Sequence, residues 1–485
     1  RKFQAIRTGM VPYELARELV SEMRPLRLQG AINSFSSLFF LSLIALAIIL
    51  YKFIKKKKPE ELLILVWTVV IILMTGIIPF LGLGRFVYYL SCNISLLSGF
   101  LIVKGFEFGW RGLKIAQKIP LKSSVQPYFL AGSLLIIFNV IFFLLFPFPF
   151  NIGNPYPKNL PAIFQIPIEG AKTGPFIRED DWYDALKWLR ENTPDPGIDY
   201  YALYQGPGIN KETGEINSYP YPKEAYGVLA SWDVGHMITY YAHRIPNSNP
   251  FQQGVGQKKR GEEEELGEAV FFLETDEQKA IQYLEELKTR YIITDYVSAH
   301  PKGIFATKVK WAQGNFEGYY LEGQEPDTTP NKYDNSMIVR LHILDGREET
   351  TERKVGDKKI EFYIKPLDHF RLVYESERTV ISPSEDPGDD IKAVKIFEYV
   401  KGVRIIGQAK SGTGVTLSTE IETNQGRKFV YQKNTEAEDG HFEFIVPYST
   451  EVFAQPYKLK IGDKEIEINI SEEDVLEGRT MIFNP

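Results

Sequence analysis

The chain has one cysteine, Cys92, in 485 residues, and an internal disulfide is thereby excluded. Its six histidines are scattered. No Cys/His cluster gathers the ligands of a zinc site. An initiator methionine is missing, for the chain begins at Arg1 and shows no signal-peptide pattern. It reads as a piece of a longer protein. An excess of positive charge is also missing: the formal net charge is −6, which argues against a general nucleic-acid binder. The slightly negative mean hydropathy points to a soluble protein, but it averages two very different halves.

Long apolar runs fill the first of these halves. Four stand out, over 35–53, 61–82, 86–103 and 128–149. Each has about the ~20 residues that cross a bilayer. Lys52 and Lys55–Lys58 follow the first run, and Lys104, Arg111, Lys114, Lys118 and Lys122 lie between the third and fourth. The positive-inside rule puts both basic loops in the cytoplasm. Residues 1–30, the loop Leu81–Arg85 and everything after 150 then fall outside. The expected fold is multidomain. An α-helical transmembrane bundle of four spans (31–150) follows an external loop (1–30) in a multi-pass cell-membrane protein. Next come an extracytoplasmic mixed α/β domain (151–320), a β-rich segment (321–385) and a β-sandwich-like peripheral domain (386–485).

Within the external part, EDDWYDALKWLREN opens with acidic residues, spaces Trp182, Ala185, Leu186 and Leu189 helically, and is stopped by Pro194 and Pro196. Gly227–Ala230 reads as a strand, His236–Arg244 as a helix, 275–290 as an amphipathic helix and Tyr291–Thr294 as the strand it feeds. Beyond 320, short alternating runs such as IEFYIKPL and FEFIVPY are separated by turn residues, with a polar linker at 382–390.

The most informative segment is YGVLASWDVGHMITYYAHRIPNSNPFQQG, residues 226–254. Trp232-Asp233 sits in a turn closed by Gly235. An indole donates and an ionised carboxylate accepts, so the pair can hold a small hydroxyl group. The plainer reading is a buried Trp beside a turn-forming Asp.

This segment resembles the Trp-Trp-Asp-Tyr-Gly signature of asparagine-linked oligosaccharyltransferases, most of all the archaeal single-subunit proteins. The resemblance implies transfer of a glycan from a lipid carrier to Asn in Asn-x-Ser/Thr, with the Trp-Asp pair on the Ser/Thr hydroxyl. Ser231 stands where the family has its first Trp, and Val234 where it has Tyr. The missing indole removes one hydrogen bond, roughly 0.5–1.5 kcal/mol if nothing replaces it.

Further residues follow from the same resemblance. GRFVYYLSCN looks like the family's Arg-Phe-x-Tyr-Tyr element, which makes Arg85 a ligand of the donor pyrophosphate; a snorkelling interfacial arginine is the alternative. Leu19-Val20-Ser21-Glu22 resembles a Thr/Ser-Val/Ile-x-Glu loop motif. Glu22 would orient the acceptor amide, or else belong to a solvated turn. Lys302 resembles the lysine of an Asp-x-x-Lys wall beside the hydroxyl pocket, although Ala299 replaces the Asp. It is otherwise an exposed turn lysine. His236 lines the donor-sugar pocket or sits at a helix N-terminus.

The implied cofactor is Mn2+ or Mg2+, with its carboxylate ligands expected in a preceding N-terminal half and no metal residues in this chain. The implied partners are a lipid-linked oligosaccharide of the dolichyl phosphate or diphosphate type, an Asn-x-Ser/Thr polypeptide and the membrane, with no nucleic acid. Alone, the chain is expected to be inactive. Two other readings stay open: a membrane glycosyltransferase with a different acceptor, and a non-catalytic membrane-anchored cell-surface protein. Asn469-Ile470-Ser471 is itself an acceptor sequon.

Overall fold

A computed structural model describes residues 28–75, 87–120, 123–145, 179–202, 208–210, 212, 214, 219–257, 265–319, 331–355 and 358–483. The chain divides into two compact units, one spanning Pro12–Phe176 and the other holding Ile177–Pro485.

The first unit is helical: α1 (Leu28–Lys56), α2 (Pro59–Thr75), α3 (Val87–Lys118) and α4 (Gln126–Leu145). Every expected apolar run falls on one of them within the described residues. Lys55 and Lys56 close α1 at the negative end of its dipole. Pro59 opens α2, where its missing N–H costs nothing, and Glu60 and Glu61 follow. Leu63, Trp67, Leu135 and Phe138 are exposed, so apolar residues cover outer faces as well as inner ones. Such a surface suits lipid better than water. Leu38–Lys56 and Tyr88–Lys118 are long and apolar enough to cross a membrane. Inside, Ala31, Phe39, Ile71, Leu90 and Ile94 pack together. Polar links add to this. Trp67 Nε1 donates to Asn93 Oδ1 at 2.5 Å, and Asn93 Nδ2 to Thr68 Oγ1 at 3.0 Å.

The second unit is built on a mixed sheet. Strands β1 (Gly227–Leu229), β2 (Ile245–Pro246) and β3 (Thr289–Asp295) are mutually parallel, in the order β2-β1-β3. Two antiparallel strands, Val394–Tyr399 and Phe370–Glu375, complete it beside β3. They come from the stretch that reads as separate and β-rich in the sequence. Helix α5 (Glu179–Asn192) packs on this sheet through Trp182, Ala185, Leu186 and Leu189, which join Val228, Ala230, Val234, Tyr291, Ile293 and Ile396 in one core.

Helix α6 (Glu268–Leu273), helix α7 (Glu277–Glu286, capped by Asp276) and helix α8 (Ile304–Gln313) surround β3 in sequence. Between 331 and 342 the chain makes two short helices, Lys332–Asn335 and α9 (Met337–His342), before any strand begins. The apolar residues Met337, Ile338, Val339 and Leu341 have no alternation and are all buried, which suits a core helix.

From residue 403 the chain forms two further sheets. One joins Val403–Gln408 to His441–Val446 and Thr480–Phe483; the other has four strands running Lys428–Glu436, Gly414–Glu422, Tyr457–Ile461 and Lys464–Ile468 in order. Alternating burial along Gly414–Glu422 is the pattern of strands with one wet face. Charges tie this module to the mixed sheet. Arg371 bonds both Glu398 (2.7 Å) and Glu472 (2.5 Å), and Arg427 bonds Glu375 (2.5 Å) and Asp345 (2.9 Å).

Candidate functional site: the Trp-Asp corner

Strand β1 ends at Leu229, and Trp232–Val234 make a tight turn that runs into Gly235–Met237 and a wider π-helical turn, Ile238–Ala242. The expected helix over 236–244 is therefore divided between these two turns, and it ends at Ala242 because His243 adopts a left-handed backbone (φ +50°). Val234 and Ile238 are buried in the core, and this pins the turn from below. Trp232 and Asp233 remain half-buried, while His236 is exposed and meets Phe251 edge-on at 5.1 Å.

The Asn/Pro loop folds back over the turn. Asn247 N donates to Val228 O (2.9 Å), and Ser248 Oγ donates to Ala230 O (3.0 Å). Asn247 Nδ2 reaches Leu287 O at 3.0 Å. Gly235 packs so closely on this loop that a Cβ there would overlap the Ser248 carbonyl oxygen and lie 2.8 Å from Asn249 Cα. Behind it, Arg244 is buried and spends its guanidinium on the end of α5. It donates to Thr193 Oγ1 (2.9 Å), Thr193 O (2.8 Å) and Arg190 O (3.0 Å), as well as to His243 O (2.8 Å).

Three residues that sequence reasoning missed support the corner from the other side. Lys308 of α8 and Glu268 of α6, both fully buried, form an ion pair at 2.5 Å. Lys308 Nζ also donates to Ser231 Oγ at 3.1 Å, and the Trp232 N–H points to Glu268 Oε1 at 3.4 Å. Burial pushes the Glu268 carboxyl above its ordinary range, opposed by the Lys308 ammonium and the Trp232 amide. Trp311, one turn beyond Lys308, packs its ring on that of Trp232. Lys308 stands among Phe305, Val309 and Ala312 on the buried face of α8. A lysine inside an apolar stripe is the signal that could have found it.

Lys302 is exposed in the turn that leads into α8. Trp232, Asp233 and His236 share one short stretch. Glu22 and Arg85 lie outside the described residues. Among the described residues, no group of three or more His, Cys, Asp or Glu gathers as a metal site. Glu268 is already committed to Lys308, so these residues do not by themselves fit Mn2+ or Mg2+. In the sequon, Asn469 is exposed, but the Ser471 hydroxyl caps Glu472–Glu477, accepting from Asp474 N at 3.1 Å.

The described residues therefore form a multidomain protein: an apolar helical unit, a mixed α/β domain bearing an indole–carboxylate corner, and a peripheral β-module. Comparison with known proteins narrows this. Residues 179–299 match the AglB core domain, and 402–481 match the archaeal glycosylation protein B long peripheral domain. The dolichyl-phosphooligosaccharide-protein glycotransferase 3 of Archaeoglobus fulgidus is 28% identical over 93% of this chain and 56% of its own length. The dolichyl-monophosphooligosaccharide–protein glycotransferase AglB of Haloferax volcanii is 25% identical over 81% of this chain and 44% of its own. A crystal structure of an A. fulgidus oligosaccharyltransferase, tethered to an acceptor peptide with the NVT sequon, superposes with a TM-score of 0.70 at 25% identity, covering 98% of this chain and 61% of that one. Another structure of that enzyme is a complex with Zn and sulfate. Two stretches of the chain thus match AglB family models, and the relatives it resembles are archaeal oligosaccharyltransferases. It spans about half the length of the curated relatives it matches.

Proposed function

We propose that this chain is the acceptor-reading part of an oligosaccharyltransferase. The whole enzyme moves an oligosaccharide from a dolichyl phosphate or diphosphate carrier to Asn in Asn-x-Ser/Thr. The observation that carries this reading is the Trp232–Asp233 corner, a half-buried indole and carboxylate held rigid by Gly235, Ser248 and the Glu268–Lys308 pair. Preorganised groups bind a small hydroxyl without first having to be ordered. Asp233 accepts the Ser/Thr proton and the Trp232 indole donates to its oxygen. Lys302, at the entrance to α8, walls the same pocket, and His236 faces the donor sugar.

Amide nitrogen is a poor nucleophile because its lone pair is delocalised into the carbonyl. Glu22 orients that amide and Arg85 holds the donor phosphates. Mn2+ or Mg2+ offsets charge on the leaving group when bound; its ligands belong to residues beyond this chain. The four helices α1–α4 span the membrane, and the rest of the chain faces the outside. Ser231, in place of the family's first Trp, favours one other reading, a lipid-dependent transferase with a different acceptor.

The test is photo-cross-linking of acceptor peptides to the full chain in detergent. Capture of Asn-x-Thr over Asn-x-Ala at residues next to Trp232 supports acceptor recognition. Equal capture sinks it and favours the different acceptor. Robust glycan transfer by this chain alone, with lipid donor and metal supplied, contradicts the assignment of the metal ligands to another segment.

A further inference from the structure

Position 231 is where the resemblance leads one to expect an indole, a group that donates one hydrogen bond and accepts none. Serine has a hydroxyl instead, which does both. Its surroundings restrict it. Lys308 Nζ lies 3.1 Å from Ser231 Oγ, and Ser231 is only 3% exposed. Among the described residues Lys308 is the hydrogen-bond partner of that oxygen. An ammonium has no lone pair, so the Ser231 oxygen must be the acceptor of this bond.

Two of the three Lys308 protons are committed to neighbours. One proton goes to Glu268 Oε2 and one to Ser231, while the ammonium stands 5.1 Å from the centre of the Phe272 ring. With a cation fixed on one lone pair, the Ser231 proton is turned away from Lys308 and left to donate.

We propose that Lys308, held by Glu268, makes Ser231 a one-way donor, restoring at position 231 the hydrogen-bond polarity of the missing indole. The ligand is an uncharged oxygen acceptor, the Ser/Thr hydroxyl oxygen of an acceptor peptide, met directly or through one bridging water because serine is the shorter side chain. Asp233 takes the same hydroxyl's proton, so the hydroxyl is read as donor and acceptor at once. Lys308 and Glu268 are positioning residues that act through Ser231. This proposal rests on the acceptor-reading function above.

The test measures the ratio of Asn-x-Thr to Asn-x-Ala peptide bound by the full chain in detergent. Ser231→Ala is a small change and lowers the ratio about two- to tenfold, the worth of one hydrogen bond. The double variant Lys308→Met/Glu268→Gln removes both charges together, so that neither is stranded. It lowers the ratio by a similar factor, and adding Ser231→Ala to it lowers the ratio no further. Should that double variant fail to fold, Lys308→Gln replaces it: its amide still donates to Glu268 but offers Ser231 an oxygen to donate to, and the ratio again falls. An unchanged ratio in Ser231→Ala overturns the proposal, as does an undiminished Ser231→Ala effect once Lys308 is neutral. If the unaltered chain shows no Thr preference, the functional reading itself fails.

Discussion

The indole of Trp232 leans on that of Trp311, with ring centroids 5.2 Å apart and 42° between the planes. Trp311 is 4% exposed, and its Nε1 is buried with no hydrogen-bond partner among the described residues. Its role at the corner is therefore that of a wall rather than a donor. Trp311→Ala opens a cavity worth about 3–5 kcal/mol of stability and frees the Trp232 ring, so peptide capture falls with it. Trp311→Phe keeps the wall and loses no paired hydrogen bond. Chemical denaturation of the two variants, with capture measured alongside, checks both expectations.

Gly235→Ala is expected to abolish acceptor capture while leaving the distant β-module folded. The added methyl meets backbone, the Ser248 carbonyl and Asn249 Cα, rather than a side chain that can swing away. The loop must lift off the turn, and the Ser248–Ala230 bond goes with it. Hydrogen exchange localised to 227–254 reads this directly.

Arg244→Lys tests how α5 is tied to the corner. A lysine offers three donors on a point charge, against the fork that now serves Thr193, Arg190 and His243. Leaving buried carbonyls unpaired costs about 1–3 kcal/mol each. A loss of about 2–4 kcal/mol in denaturant unfolding is expected. A change under about 0.5 kcal/mol would put those bonds in doubt.

The fold is expected to be acid-sensitive through His342. This ring is fully buried with Nδ1 2.9 Å from Thr294 Oγ1, and burial, with the nearby Lys395 ammonium, holds its pKa well below the usual value. Folded, it stays neutral; unfolded, it takes up a proton near pH 6.5. Below that pH the unfolded state binds more protons, so stability falls as pH drops through 6.5. Burial depresses His369 in the same direction. His342→Leu removes about 1.4 kcal/mol per pH unit from the slope below 6.5. An unchanged slope in pH-dependent unfolding would show that His342 does not contribute.

What could be read from the sequence was mostly local. Acidic residues, helical spacing and a proline stop mark α5 within EDDWYDALKWLREN, and the helix runs Glu179–Asn192. The Trp-Asp turn, its closing glycine and the strand before it lie within nine residues and were equally legible. The support of the corner was not, because it is non-local. Lys308 meets Glu268 across 40 residues and Ser231 across 77. The attention drawn to Lys302 by its motif passed over the lysine six residues on, in the same helix face as Phe305 and Val309. For the same reason the sheet's last two strands read as part of a separate β-rich region: the pairing of Tyr291 with Glu398 has no local signature.

The most direct measurement is equilibrium binding of Asn-x-Thr and Asn-x-Ala peptides to the full chain, with and without Asp233→Ala. If the corner reads the acceptor hydroxyl, the Thr peptide binds about three- to tenfold more tightly, and Asp233→Ala erases the difference. Equal affinities in the unaltered chain, or a Thr preference that survives Asp233→Ala, would contradict the claim that this corner reads the sequon.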